Sequence, residues 1–281
     1  MKKASEIFGV SAIPINTFFK ARRKRYDGFL NKFDKWVHSS NKNVKGLPSN
    51  KYLTTGITDV FDKTYIKYNK IGIFPGEYRY HQMVLEEYTA ESRITYNLEE
   101  ADIIIVSHPF SADGLSSEKK LQLADSYNKP ILVDCAYFGV CSNVSFDFTP
   151  YKNITSVAFS LSKTFGTGNL RIGLLYTNDL YPYAIWDEWG YRLHANIDHH
   201  YNLIDKIGPD DLAKQFKKQQ LDLCNKYELT PSDTVLFGLD NSDRYINYRR
   251  HDINRLCLSH LYKRSWATVL YEYFKNLGFI K

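Results

Sequence analysis

Two short apolar runs separated by one helical stretch constrain the fold of this chain more than any other feature. Residues 101–107 and 131–135 are rich in isoleucine, leucine and valine, and residues 118–128 between them have a helical pattern. Such runs are typical of buried parallel strands. A strand–helix–strand unit is expected to place its two strands parallel in one sheet. The sequence therefore predicts an α/β fold.

Chemically useful side chains stand where predicted strands end. Asp134 and Tyr137 close the second apolar run, and Lys163 follows the next predicted strand, with Ser160 before it and Arg171 eight residues after it. Open α/β sheets bind ligands at the carboxyl ends of their strands. A carboxylate, a phenol, an amine, a hydroxyl and a guanidinium form the set that a pyridoxal phosphate site needs.

Each of these residues has an expected role in such a site. Lys163 is predicted to form a Schiff base with the cofactor aldehyde and to move protons once the substrate amine replaces it. Asp134 is expected to pair with the pyridine nitrogen and keep it protonated, and Tyr137 to hydrogen-bond the ring hydroxyl. Ser160 and Arg171 are predicted to bind the phosphate, which arginine can hold through two parallel hydrogen bonds.

The same residues form three motifs in a fixed order. The chain has Asp-Cys-Ala-Tyr at 134–137, Ser-Leu-Ser-Lys at 160–163 and Arg-Ile-Gly at 171–173. It resembles there the aspartate aminotransferase family, the class I/II pyridoxal phosphate enzymes of fold type I, whose pattern is Asp-x-Ala-Tyr, Ser-x-Ser-Lys and Arg-x-Gly. The resemblance implies a three-layer α/β/α fold with a mostly parallel sheet, plus a small α+β domain. It also implies a homodimer whose neighbouring subunit contributes to the cofactor pocket.

Two further segments resemble parts of the family's cofactor site. A Thr-Gly turn before a predicted helix would point free backbone amides at an anion. The resemblance assigns Gly56, Ile57 and Thr58 of this segment to the phosphate. Tyr78, or failing it Tyr80, stands where the family often has an aromatic ring lying on the cofactor.

Two more positions follow from the resemblance, and one of them departs from the family pattern. Residues 108–114 match the family's Asn-Pro-x-Asn-Pro-Thr-Gly, but Ser111 stands where the second asparagine hydrogen-bonds the cofactor's ring oxygen. A hydroxyl can still donate that bond with shorter reach. The segment around Arg255 resembles the family's Arg-Leu-x-Phe strand, which makes this arginine the predicted ligand of the substrate α-carboxylate. Arg249 and Arg250 are its rivals.

Three segments are predicted along the chain, and the resemblance itself covers about residues 50–260. These are an N-terminal arm or small-domain segment at 1–45, a large cofactor-binding domain at 46–190 and a C-terminal small domain at 191–281. The first segment contains a basic cluster at residues 20–25. A solvated helix face, an arm on a partner subunit and nucleic-acid binding are all compatible with it. No recognition motif accompanies the cluster, so nucleic acid is not predicted as a partner.

Composition sets the remaining bounds. The chain has 37 basic and 31 acidic residues and a net charge of +6, a mild excess that does not by itself indicate nucleic acid. Four scattered cysteines fit a reduced compartment. No signal-peptide or membrane-spanning run is recognised, so a cytoplasmic protein without membrane partners is expected. His194, His199 and His200 lack a paired carboxylate pattern, and no metal is predicted.

Three functions are compatible with these residues. The main prediction is an aminotransferase that acts on an α-amino acid and an α-keto acid through a Lys163 Schiff base. A lyase, a decarboxylase or a racemase-like enzyme of the same fold is the alternative, since substrate orientation decides the outcome. A phosphate binder using Lys163 and Thr164 as in a P-loop is the third. It is disfavoured because the glycines follow the lysine rather than precede it.

Overall fold

The computed structural model describes residues 15–89, 91–180 and 193–262. Its helices are α1 Ile15–His38, α2 Ile57–Lys67, α3 Tyr80–Gln82, α4 Glu118–Ser126, α5 Ser162–Phe165, α6 His194–Tyr201, α7 Leu203–Lys206 and α8 Asp211–Tyr227. Its strands are β1 Asn50–Thr54, β2 Ile71–Ile73, β3 Ile94–Thr95, β4 Ile103–Ser107, β5 Ile131–Cys135, β6 Ile154–Ser160, β7 Gly173–Thr177, β8 Thr230–Pro231, β9 Phe237–Asp240, β10 Arg249–Arg250 and β11 Ile253–Cys257.

A seven-stranded sheet forms the centre of the described chain, in the order β1-β7-β6-β5-β4-β2-β3. Its pairs are parallel from β3 through β2, β4 and β5 to β6. Strand β7 runs antiparallel to both of its neighbours, β1 and β6. The predicted α/β fold with a mostly parallel sheet is confirmed, and the two apolar runs are the adjacent strands β4 and β5.

Both faces of the central strands are covered, which explains why their sequences do not alternate between apolar and polar residues. Successive side chains of a strand point to opposite faces. Ile104 and Val106 of β4 belong to one hydrophobic core, whereas Ile103 and Ile105 belong to the other. Helix α2 covers the second face, with Phe61 in the core. Each fully buried side chain of this size contributes about 1.5–3 kcal/mol to folding.

A four-stranded antiparallel sheet of order β10-β11-β9-β8 lies beside the large one. Helix α8 is attached to it by a buried amide: Gln220 Nε2 lies 2.8–3.0 Å from the carbonyl oxygens of Ser232, Thr234 and Phe237. Phe237 also belongs to the core of the large sheet. The small sheet therefore shares a core with β5, the strand that carries Asp134, and with β6, the strand that precedes Lys163.

Helix α1 packs on the large sheet. Phe29 and Phe33 are fully buried in the core of that sheet. The Tyr176 hydroxyl of β7 donates a hydrogen bond to Asp34 at 2.8 Å. In the basic cluster, Arg25 forms an ion pair with Asp198. The basic cluster does not predict this packing, and the buried aromatic residues of the helix are what place it against the sheet.

The three-segment division of the chain stays a prediction. Residues 1–14 of the first segment, 181–192 at the second boundary and 263–281 of the third lie outside the described residues. No helix within the described part of the chain is both long and apolar enough to cross a membrane.

Candidate active site

A pocket lies at the carboxyl ends of the central strands, with about 510 Å³ of empty space that includes its opening to solvent. Its walls contain every residue predicted to contact the cofactor except Gly56. The lining residues are Ile57, Thr58, Phe61, Tyr78, Ser107, Ser111, Asp134, Ala136, Tyr137, Ser160, Ser162, Lys163 and Arg171. The register explains the convergence, because Ser107 pairs with Asp134 and Asp134 pairs with Ala158 near the end of β6.

Asp134 is the acid at the base of this pocket. The residue is only 6% exposed, and its Oδ1 accepts a hydrogen bond from the Ala136 backbone amide at 2.8 Å. Burial raises the pKa of Asp134 to about 6, although the Ala136 hydrogen bond and the charges of Lys163 and Arg171 oppose the shift. Its Oδ2 accepts no hydrogen bond from the described residues, so one oxygen is available to a pyridinium N–H.

Lys163 lies on α5, the four-residue helix that follows β6. Ser160 Oγ accepts a hydrogen bond from the Ser162 amide at 3.2 Å and fixes this turn. Lys163 remains exposed to solvent within the pocket. Partial burial lowers the pKa of its amine, as do the charges of Arg255 and Arg171, while Asp134 opposes the shift. A lowered pKa leaves more neutral amine, which is the nucleophilic form.

The part of the pocket wall formed by Arg171 and the start of α2 is positively charged. Gly56 precedes α2 and has a φ of +91°, a conformation that favours glycine. A Cβ at this position would lie 3.2 Å from Arg171 Nε, so the glycine also makes room for the guanidinium. Within the described residues Arg171 forms no ion pair. Its charge and the first-turn amides at Ile57 and Thr58 together suit an anion such as the cofactor phosphate.

The glycine of the Arg-Ile-Gly motif has a packing reason. A Cβ on Gly173 would lie 2.6 Å from Thr54 Oγ1 and 2.9 Å from the Phe159 carbonyl oxygen. Gly173 pairs with Thr54 on one side and with Ser160 on the other. Any side chain here would force apart the strands that support both Ser160 and the Gly56 turn.

Two tyrosines contribute aromatic walls. Tyr137 is buried, and its ring meets Phe237 edge to face at 5.5 Å. Burial raises the pKa of Tyr137 to about 12, so the phenol stays protonated and can donate a hydrogen bond. Tyr78 lines the pocket, whereas Tyr80 donates to Asp62 at 2.7 Å and does not line it. The structure thus places the first choice of aromatic residue, and not the fallback, at the pocket.

Ser111 links the cofactor pocket to a neighbouring one. Its amide donates to Ser107 Oγ at 2.8 Å, and its carbonyl oxygen accepts a hydrogen bond from the Arg255 guanidinium. Arg255 also lies over the Phe237 ring, 4.4 Å from the ring centroid. It lines the neighbouring pocket rather than the cofactor pocket, together with its rivals Arg249 and Arg250.

Glu77 is a buried acid of this site that the sequence analysis missed. Its two oxygens accept hydrogen bonds from the Ser107 amide at 2.7 Å, the Ser107 hydroxyl at 2.6 Å and the Tyr78 amide at 3.1 Å. Burial raises the pKa of Glu77 to about 7; the charge of Asp134 adds to the shift, and the hydrogen bonds oppose it. The available signal was an acid four residues after a short apolar strand, a looser form of the signal that identified Asp134.

The histidines near the site make structural contacts. His108 is buried, and its Nε2 lies 2.8 Å from the Ser145 carbonyl oxygen. Burial lowers the pKa of His108 to about 4. His200 Nε2 lies 2.8 Å from Thr167 Oγ1. In the described residues no group of histidine, cysteine and carboxylate side chains has the arrangement of a metal site.

Known proteins provide an independent comparison. Residues 63–222, more than half of the chain, match the family model for aminotransferase class I and II. No curated protein matches this chain. Aminotransferase AspB from Helicobacter pylori is similar in structure, with a TM-score of 0.59, 16% identity, and coverage of 95% of this chain and 90% of that chain.

Enzymes of other reaction types share the fold. L-threonine-O-3-phosphate decarboxylase from Porphyromonas gingivalis has a TM-score of 0.58 and 14% identity, covering 87% of this chain and 88% of that chain. The PLP-bound C-S lyase from Staphylococcus hominis has a TM-score of 0.56 and 13% identity, covering 78% of this chain and 67% of that chain. At these identities the likeness shows the fold alone. The chain belongs to the aminotransferase class I and II family of pyridoxal 5'-phosphate enzymes.

Proposed function

We propose that this protein is a pyridoxal phosphate-dependent aminotransferase that acts on an α-amino acid. The observation that carries the proposal is that Lys163, buried Asp134 and Arg171 all line one pocket. The cofactor, when bound, supplies an aldehyde that captures amines and a pyridinium ring that takes up electrons from the substrate. The pocket offers an acceptor for the ring nitrogen, an anion site for the phosphate and an amine beside the aldehyde.

In this proposal Asp134 holds a proton on the pyridine nitrogen. Its Oδ2 is the oxygen without a donor among the described residues, and the nearby charges of Lys163 and Arg171 favour its ionised form. A cationic ring nitrogen would favour ionisation further. The phenol of Tyr137, protonated because burial raises its pKa to about 12, donates to the ring oxygen.

Lys163 Nζ is the proposed proton carrier. With its lowered pKa, the free amine would take a proton from the substrate α-carbon and hold it at Nζ, where the bound cofactor could receive it. Arg255, fixed by the Ser111 carbonyl, is the proposed ligand of the substrate α-carboxylate. By holding the carboxylate it would orient the α-carbon so that the bond to be broken stands perpendicular to the ring.

A lyase or decarboxylase of the same fold is the alternative. The solved structures of this fold include a decarboxylase and a C-S lyase. The residues that hold the cofactor would serve all three reactions, and the bond that lies perpendicular to the ring decides among them. Ser111 is the residue of this chain that favours the alternative, because its short side chain replaces an asparagine at the ring oxygen.

The experiment that tests the proposal is borohydride trapping of the cofactor. The purified holoprotein should be yellow, lose the colour on reduction and carry the added mass on the peptide that contains Lys163. The Lys163→Ala protein should gain no cofactor mass on reduction, whereas the exposed control Lys152→Ala should behave as the wild type. A wild-type protein that takes up no cofactor would refute the proposal. Amino-donor profiling with α-keto acids then separates transamination from carbon dioxide release or side-chain loss.

We also propose that the protein acts as a homodimer whose neighbouring subunit completes the pocket. Sedimentation of the holoprotein over a range of concentrations tests this, with activity measured on the same samples. A dimer is expected, and the activity per chain should fall as dilution releases monomers. A fully active monomer in sedimentation experiments would contradict the proposal.

A further inference from the structure

A second pocket adjoins the cofactor pocket and shares two of its wall residues, Tyr78 and Ser111. Its walls include Arg79, Arg249, Arg250 and Arg255. We call it the arginine pocket. A substrate bound over the cofactor would therefore extend its side chain past Ser111 into a space lined by guanidinium groups.

The β10–β11 hairpin brings three of these arginines together. Arg249 pairs with Asn254, the residue before Arg255, and Arg250 pairs with Ile253. Arg255 is held in place by the Ser111 carbonyl. The hairpin thus places Arg249 and Arg250 on the strand next to Arg255, and Arg255 is the one of the three that contacts Ser111.

Among the described residues no acid forms an ion pair with Arg249, Arg250 or Arg255. Glu77 lines the arginine pocket, but its two oxygens already accept hydrogen bonds from Ser107 and Tyr78. Glu87 lies 3.6 Å from Arg79 in an exposed pair, which contributes little.

Arg249 and Arg250 carry the excess positive charge. Arg249 Nε donates to the His251 carbonyl oxygen at 3.3 Å, and the side chain of Arg250 forms no ion pair or hydrogen bond within the described part of the chain. Neighbouring like charges at an exposed edge repel one another. A site for an anion explains this arrangement.

We propose that the arginine pocket binds a second anionic group on the substrate, so that the substrate is an α-amino acid whose side chain ends in a carboxylate or a phosphate. The inference rests on the proposed function, in which Arg255 already holds the α-carboxylate. Guanidinium groups bind both anions through paired hydrogen bonds. Arg249 and Arg250 are the residues assigned to the second anion.

The test compares two pairs of amino acids that differ mainly in charge. The holoprotein is titrated with L-glutamate and L-glutamine, and with O-phospho-L-serine and L-serine, and the absorbance change of the bound cofactor gives each Kd. At least one anionic probe should bind about tenfold more tightly than its neutral partner, the size expected for one hydrogen bond to a charged group. The pair with the larger preference identifies the second anion as carboxylate or phosphate.

The variant Arg249→Gln/Arg250→Gln should abolish this preference and leave the Kd of the neutral probes within about twofold. The single variant Arg250→Gln should show an intermediate loss, and retained cofactor absorbance shows that both variants are folded. The control Lys24→Gln/Lys152→Gln removes the same charge from exposed positions of the chain and should keep the preference.

Two results would overturn the inference alone. One is a holoprotein that binds neutral and anionic probes equally well. The other is a preference for the anionic probe that persists in Arg249→Gln/Arg250→Gln. A protein that takes up no cofactor would overturn the proposed function together with this inference, so the two failures are distinguishable.

Discussion

Asp134 and Arg250 lie in neighbouring pockets, but the elements that carry them differ sharply. Asp134 ends a strand that is paired on both sides and covered on both faces, and the residue is 6% exposed. Arg250 lies on a two-residue edge strand of the small sheet and is exposed. We call the residues proposed to hold the cofactor, Asp134, Lys163 and Arg171, the floor of the site. The exposed arginines of the small sheet, Arg249 and Arg250, form its edge. Groups proposed for chemistry thus stand on the floor, and groups proposed for substrate choice stand on the edge. An edge can change sequence without disturbing the core.

Two buried carboxyl groups, Asp134 in the cofactor pocket and Glu77 in the arginine pocket, have different surroundings. Asp134 has Lys163 and Arg171 as nearby positive charges and a single backbone hydrogen bond. Glu77 has three hydrogen bonds and is influenced by the negative charge of Asp134. The first arrangement suits an acid that partners a cationic ligand. The second suits an acid that fixes the backbone of Tyr78 and Ser107.

The largest expected effect is that of Asp134→Asn on catalysis. An amide cannot hold the ring nitrogen protonated, and removing one partner of a buried charge pair costs about 3–5 kcal/mol. The kcat/KM for amino-group transfer should therefore fall about 10²–10⁴-fold. Asp222→Asn, a substitution on the exposed face of α8, is the control and should retain full activity. A loss below threefold for Asp134→Asn would exclude Asp134 as the partner of the ring.

Glu77→Gln should change the pH dependence of stability. Burial raises the pKa of Glu77 from its ordinary value of 4.5 to about 7. Between these values the folded protein keeps a proton that the unfolded chain releases, so stability is highest below pH 4.5 and falls as the pH rises to 7. The loss amounts to about 3 kcal/mol.

Urea unfolding from pH 4.5 to 8 measures this effect as a difference between wild type and Glu77→Gln. The difference cancels the contributions of other groups, among them buried His108, whose lowered pKa acts in the opposite direction. The free energy of unfolding of the wild type, taken relative to that of the variant, should decrease as the pH rises. Parallel stability curves would show that Glu77 keeps its ordinary pKa in the folded protein.

Arg171→Gln should weaken cofactor binding by about 10–100-fold, as expected for the loss of hydrogen bonds between charged groups. Arg171→Lys should be intermediate, because lysine keeps the charge without the paired donors. Equilibrium dialysis gives the cofactor Kd. Arg250→Gln is the matched control at the edge of the site and should leave this Kd unchanged. Equal effects of the two substitutions would remove the distinction between floor and edge.

The fold and the floor of the site could be predicted because their signals are local. A strand buried on both faces has an uninterrupted apolar sequence, and an acid or a lysine at its end is visible in the same few residues. The family match confirms the fold and the cofactor. The roles assigned to Lys163, Asp134 and the other pocket residues stay predictions, and the structure contributes their convergence on one pocket.

The rest of the site could not be predicted because it depends on contacts between distant parts of the chain. The arginine pocket joins Arg79 to Arg249 and Arg250, and nothing in either segment indicates the other. The role of Glu77 depends on Ser107, thirty residues away, which offers it both an amide and a hydroxyl. The sequence shows the charge of each residue but not which neighbours surround it.

The smallest expected effect concerns Tyr78, which lines both pockets and is 39% exposed. If its ring lies on the cofactor, Tyr78→Ala should weaken cofactor binding about three- to tenfold, since an aromatic contact is worth about 0.5–1.5 kcal/mol. Tyr78→Phe keeps the ring and should bind normally. Tyr80→Phe removes only the hydroxyl bonded to Asp62 and should also bind normally. If Tyr78→Ala instead changes the Kd of the amino acid and leaves that of the cofactor intact, Tyr78 contacts the substrate and not the cofactor. It would then belong to the edge together with Arg249 and Arg250.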